Sequence, residues 1–141
     1  MGREPLLRVL LAEDVPVLRL GIRMLLAGFP DIVVAGEAAD GREAVDKALE
    51  LKPDAVIMDL SMPVLDGLEA IALIRPLLPG TGILALTGHE DPALVRAALE
   101  AGAHGFLLKD AQPQELAQGV RAVARGQRFV PQRLAARLQG G

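Results

Sequence analysis

Cysteine is absent from all 141 residues, which excludes disulfides and thiolate metal sites. Tryptophan and tyrosine are missing too, and aromatics make up only 2% of the chain, which leaves little for stacking the bases of a single-stranded nucleic acid. There is no excess of positive charge. The formal net charge of −3 gives no long-range attraction to DNA or anionic lipid, whereas a nucleic-acid-binding domain would carry a basic patch. Arg121, Arg125, Arg128, Arg133 and Arg137 concentrate in the last third and read as a solvated helix face. No apolar run approaches the roughly 18 residues that cross a bilayer. The opening Met1-Gly2-Arg3-Glu4-Pro5 lacks the apolar stretch of a secretory signal. The expectation is a cytoplasmic protein with no membrane partner.

What is present is a large apolar fraction, 51%, enough for one globular domain that buries roughly two-thirds of its unfolded surface. Short apolar runs at Leu6 to Ala12, Ile32 to Ala35, Ala55 to Met58, Ile83 to Leu86 and Gly105 to Leu108 read as five buried strands. Between them, apolar residues recur at helical spacing: Leu18, Ile22, Leu25; Ala44, Ala48, Leu51; Leu68, Ile71, Ile74; Leu94, Ala98; and Leu116, Val120, Val123. Asp40 with Glu43 resembles a capping box, Pro92 and Pro113 suit first-turn positions, and Asp66 suits a helix start. Gly28, Gly80, Gly102 and Gly126 fall where the periodicity stops. Strict alternation of strand and helix, with strands apolar on both faces, predicts a doubly wound α/β fold around a parallel sheet. After Gly126 the alternation ends, and Phe129-Val130-Pro131 leads into a short helix expected over 132 to 139. Residues 1 to 126 read as the domain, and 127 to 141 as the start of a linker or a C-terminal extension.

Glu13, Asp14, Asp59, Thr87 and Lys109 each follow one of these strands. In an open parallel sheet the crevice beyond the strands' carboxyl ends is where ligands bind, so the five residues are expected to converge there. Three carboxylates within about 4 Å repel one another by several kcal/mol unless a cation joins them. An all-oxygen donor set favours Mg²⁺, which retains waters and accepts a phosphoryl oxygen as a further ligand. A metal, an ammonium from Lys109 and a hydroxyl from Thr87 suit a phosphoryl group in flight, with Asp59 as nucleophile. Lys109 could pair with Asp59 or with an anion bound beside it. His89 and His104 read as exposed loop residues, and Met58 and Met62 as packing groups.

Four segments carry a closer likeness. Leu11-Ala12-Glu13-Asp14, the run Met58 to Gly67, Leu86-Thr87-Gly88 and the run Ala101 to Lys109 resemble the signature segments of the receiver domain of bacterial two-component response regulators, over about residues 6 to 126. The resemblance implies a flavodoxin-like, CheY-like fold with strand order 2-1-3-4-5. It also implies phosphoryl transfer from a sensor histidine kinase to Asp59, and Mg²⁺ held by Asp14, Asp59 and the Ser61 backbone carbonyl, with Glu13 acting through water. Thr87 and Lys109 would bind the phosphoryl group, and Thr87 and Phe106 would form the switch. The segments Gly36 to Gly41, Leu107 to Ala111 and Ala122 to Pro131 resemble the NarL/FixJ-type subfamily. Its members control transcription through a C-terminal LuxR-type helix-turn-helix, so contact with DNA would need an output domain that this sequence lacks, and homodimerisation on phosphorylation is expected. Such a regulator would catalyse only its own phosphorylation and dephosphorylation. A stand-alone receiver acting through protein contacts is the alternative. Asp110 stands where the family often has proline, so the cis peptide common there is not dictated. A haloacid-dehalogenase-type phosphatase would need a second Asp where Ser61 stands, and a flavodoxin would need a Ser/Thr/Gly-rich loop where Glu13 and Asp14 stand.

Overall fold

The alternation expected from periodicity is the one that forms. The computed structural model describes residues 6–132 and 134–136. In chain order the elements are β1 (Leu7–Ala12), α1 (Pro16–Leu26), β2 (Ile32–Ala38), α2 (Gly41–Leu51), β3 (Ala55–Asp59), α3 (Gly67–Leu77), β4 (Gly82–Thr87), α4 (Pro92–Ala101), β5 (Gly105–Leu108) and α5 (Pro113–Ala124). The strands form one parallel sheet in the order β2-β1-β3-β4-β5.

Every residue of β3 and β4 is buried, because both faces of the sheet are covered and successive side chains point to opposite sides. Leu10, Val56, Met58, Ile83 and Ala85 pack with Ala48, Ile71 and Val95, on the side of α2, α3 and α4. Val9, Leu11, Ile57, Leu84 and Leu86 pack on the other side with Leu26 of α1 and Leu116 and Val120 of α5. Helix starts follow the expected caps. Asp40 accepts a hydrogen bond from Glu43 N–H at 2.8 Å, and Glu43 Oε1 accepts one from Ala39 N–H at 2.7 Å. Asp66 caps α3 by accepting from Glu69 N–H at 2.8 Å, and Asp91 caps α4 by accepting from Ala93 N–H at 2.9 Å.

Some expectations are corrected. β2 continues to Ala38 because the β1–β2 register shifts between Val9 and Leu10, skipping Ala35 and resuming at Gly36. His104 is not an exposed loop residue: it is half-buried, and its Nδ1 accepts the N–H of Ile83 at 3.1 Å. Arg121 departs from the solvated face. It clasps Asp31 with hydrogen bonds of 2.7 and 2.9 Å and lies 5.4 Å over the Phe29 ring. Arg125 and Arg128 are exposed as expected. Among the described residues no peptide is cis, and no helix is long and apolar enough to cross a membrane.

The chain continues past α5 against the sheet. Phe129 makes a parallel bridge with Gly105; its N–H donates to His104 O at 3.2 Å, and its carbonyl accepts from Phe106 N–H at 2.9 Å. Of the helix expected over 132 to 139, residues 132 and 134–136 are helical. Residues 137 to 139, together with Arg133, Gly140, Gly141 and the first five residues, lie outside the described residues.

Candidate functional site

β1 and β3 are neighbours with Ala12 opposite Met58, so the loops that follow them leave the sheet side by side. One oxygen each from Glu13, Asp14 and Asp59 lies within 4.8 Å of the others. Glu13 and Asp59 are fully buried and Asp14 is half-buried. β5 contributes the fourth member. The Lys109 N–H donates to Thr87 O at 2.8 Å, and its Nζ lies 3.1 Å from Glu13 Oε1 and 3.3 Å from Asp59 Oδ1. The side-chain partner left open by the residue types is therefore double, with Glu13 the nearer.

Backbone groups hold the acids in place. Ser61 N–H donates to Asp59 Oδ1 at 3.1 Å, and Val15 N–H donates to Glu13 Oε2 at 3.1 Å. Arg19 Nη1 donates to the Glu13 carbonyl at 2.8 Å, while its Nε pairs with Glu37 at 3.2 Å. This role of Arg19 had no local signal, because its partners lie in other elements. Two buried oxygens stay short of partners. Among the described residues, Glu13 Oε1 has the Lys109 ammonium beside it but no aligned hydrogen bond, and Asp59 Oδ2 has no hydrogen-bond partner.

The electrostatics follow from burial. Loss of solvent pushes the Asp59 carboxyl up to about 6; Asp14 and Glu13 push it the same way, while Ser61 N–H and Lys109 oppose them. For Lys109, burial disfavours the ammonium, but Glu13 and Asp59 outweigh it and hold the pKa above the ordinary lysine value. The Lys109 ammonium pairs with two of the three carboxyl groups, and the partnerless oxygens are hard donors without nitrogen or sulfur among them. That set fits Mg²⁺.

Thr87 ends β4 beside this cluster, and Phe106 lies three residues before Lys109, in β5. Asp59 is in register with Leu86, so Thr87 lies one residue farther along β4; its buried hydroxyl accepts the His89 N–H at 3.2 Å. Phe106 is fully buried beside Ala85, on the sheet face shared with Met58 and Val95. Met58 and Met62 are buried packing groups, as expected.

The profile of the response regulator receiver domain matches residues 9–121. The uncharacterized transcriptional regulatory protein YxjL of Bacillus subtilis is 42% identical over 121 residues, 86% of this chain and 56% of the relative. The chain thus spans about half the length of that relative. A LuxR-family two-component response regulator from Aurantimonas sp. superposes with a TM-score of 0.90 at 36% identity, covering 96% of both chains. RcsB, solved as two dimers bound to two parallel DNAs, superposes with a TM-score of 0.84 at 30% identity, covering 95% of this chain and 68% of that one. With its signature residues gathered at one end of the expected sheet, this chain belongs to the receiver domains of two-component response regulators, in the LuxR branch of that family.

Proposed function

We propose that the chain is a phosphorylation-activated switch that takes a phosphoryl group onto Asp59 from the phosphohistidine of a sensor histidine kinase. The supporting observation is the buried acidic cluster, closed by one lysine and holding carboxylate oxygens without partners. In the transfer, an Asp59 carboxylate oxygen forms a bond to phosphorus as the donor's P–N bond breaks. The bonding pair leaves with the imidazole, which takes up a proton. With Mg²⁺ bound through Asp14, Asp59 and the Ser61 backbone carbonyl, and through water from Glu13, the ion would neutralise charge on the phosphoryl oxygens.

The chain's own groups do the rest. Lys109, already 3.3 Å from Asp59, supplies positive charge to the transferred group. The Thr87 hydroxyl accepts from His89 N–H, which leaves its own proton free to donate to a phosphoryl oxygen. Movement of Thr87 toward that oxygen opens space along β4, and Phe106 follows as the second part of the switch. The chemistry is confined to the chain's own phosphorylation and dephosphorylation. Residues 1–126 form the phosphoacceptor unit, and 127–141 are a C-terminal extension, packed on the sheet through Phe129 and Leu134, that leads toward a LuxR-type DNA-binding domain. Transcriptional control through that domain, homodimerisation on phosphorylation and a cytoplasmic location complete the proposal.

Intact-mass measurement tests it. Acetyl phosphate with Mg²⁺ is expected to add one phosphate, about 80 Da, to the wild type and nothing to Asp59→Asn. Chelation of the metal should suppress the adduct. An adduct on Asp59→Asn, or none on the wild type, overturns the assignment.

A further inference from the structure

Positive charge collects at the end of the sheet opposite the acidic cluster. β5 runs from Gly105 to Leu108, so His104, just before it, lies about 16 Å of extended backbone away from Lys109. Beside His104 is an open cavity of about 260 Å³, walled by Arg75 of α3, by Leu99 and Gly102 at the end of α4, and by Gly126 and Arg128 after α5. Two arginines line it and no carboxylate does.

The polar groups are held in place without being neutralised. His104 Nδ1 accepts the Ile83 N–H at 3.1 Å, so the ring proton belongs on Nε2 and the imidazole donates from that edge. Burial, and then the charge of Arg75, hold its pKa below the ordinary histidine value, which keeps the ring in this neutral form. The stem of Arg75 crosses Gly102, where a Cβ would come within 2.6 Å of its Cγ. Its Nη1 reaches only the Pro79 carbonyl, at a long 3.3 Å. Arg128 is brought to the rim by the chain beyond α5: Gly126 turns at a φ of 76°, and Phe129 N–H donates to His104 O at 3.2 Å. Arg19, Arg23 and Arg121 each have a carboxylate partner. Among the described residues, Arg75 and Arg128 have none.

We propose that this cavity binds a phosphate group, as inorganic phosphate or as the end of a small phosphomonoester, between Arg75, Arg128 and the Nε2–H of His104. Two positive charges match a group that carries about −1.5 to −2 near pH 7. Its tetrahedral oxygens can meet donors arriving from three elements, whereas a carboxylate offers two oxygens in one plane. Guanidinium groups suit phosphate in particular. The volume falls just under the roughly 300–1,000 Å³ of pockets for drug-sized ligands, so the guest is small. Bound there, it ties α3 to the segment that follows α5, and Asp59 takes no part.

Proton NMR of the two imidazole rings tests the site in metal-free buffer at constant ionic strength, where the acidic cluster repels an anionic probe. Inorganic phosphate at millimolar concentration should move the His104 signals along a saturating curve and leave those of His89, beside Thr87, in place. Arg75→Gln and Arg128→Gln should each raise the half-saturation concentration about tenfold, the loss of one charged hydrogen bond. Arg125→Gln, exposed and outside the cavity, should not change it. Arg128 is exposed, so its variant should unfold at the wild-type midpoint without phosphate, and a lost response then reports lost binding. Glycerol phosphate that binds at least as tightly as inorganic phosphate assigns a phosphomonoester; weaker binding assigns the free ion. No saturating movement of His104, equal movement of His89, undiminished binding by Arg128→Gln, or acetate bound as tightly as phosphate overturns the inference.

Discussion

Asp59 is the residue on which charge and burial conflict most. Its carboxyl has a pKa of about 6 in the folded chain against an ordinary 3.8, chiefly because it is buried and secondarily because Asp14 and Glu13 share its space. A folded-state pKa above the unfolded one means that the native chain binds the proton more tightly. The resulting stabilisation is complete below about pH 4 and is lost as the pH rises through about 6. Asp31 and Glu43 have lowered pKa values, from the Arg121 and Ala39 N–H hydrogen bonds respectively, and favour the native state in the opposite direction. The clean measurement is therefore a difference. In metal-free buffer, the urea-unfolding free energy of Asp59→Asn minus that of the wild type should grow as the pH is raised from 4 to 7. A difference that stays flat or shrinks would contradict the burial of this carboxyl. The identities of the acids could be read from the sequence because each follows an apolar run. The double pairing of Lys109 and the Arg19 anchor could not, since each depends on groups brought together only by tertiary structure.

At the scale of elements, the strands were legible because burial on both faces leaves unbroken apolar runs, and the helices because caps such as Asp40 and Asp66 act within three residues. β2 was read short because its last three residues include Gly36 and Glu37, and only the register shift against β1 keeps them in the sheet. The segment after α5 was the least legible, since its contacts are long-range. Gly105 and Gly119 leave the space that Phe129 fills: a Cβ on Gly105 would lie 2.7 Å from the Phe129 carbonyl, and one on Gly119 would lie 3.2 Å from its ring. Leu134 is 1% exposed and packs in the same cluster as Phe106. The segment behaves as part of the core, so Leu134→Ala should cost about 2–5 kcal/mol, the usual range for a buried leucine. Urea denaturation checks this through a lower midpoint at unchanged slope. A loss under about 0.5 kcal/mol, typical of a surface change, would mean that the segment is detached in solution.

For the whole molecule, the acidic cluster joins parts of the chain far apart in sequence: Glu13 and Asp14 after β1, Asp59 after β3, and Lys109 after β5. The unfolded chain has no such arrangement, so a divalent cation that binds it binds the native state alone. Stability must then rise by RT ln(1 + [Mg²⁺]/Kd), about 1.4 kcal/mol at ten times Kd. In a chain of this size that corresponds to an upward shift of roughly 3–6 °C in the midpoint of thermal unfolding. The gain should keep climbing with the logarithm of concentration rather than saturate, which separates site binding from general screening, since monovalent salt at equal ionic strength would weaken exposed ion pairs instead. Removing one ligand should reveal the site by contrast. Asp59→Asn relieves repulsion among the acids, so it should start from a higher midpoint without metal and gain less from Mg²⁺. The gap between the two curves should narrow as the wild-type site fills and change no further once both sites are occupied. Equal Mg²⁺ gains in both proteins would place the ion elsewhere on the surface and separate the acidic cluster from metal binding.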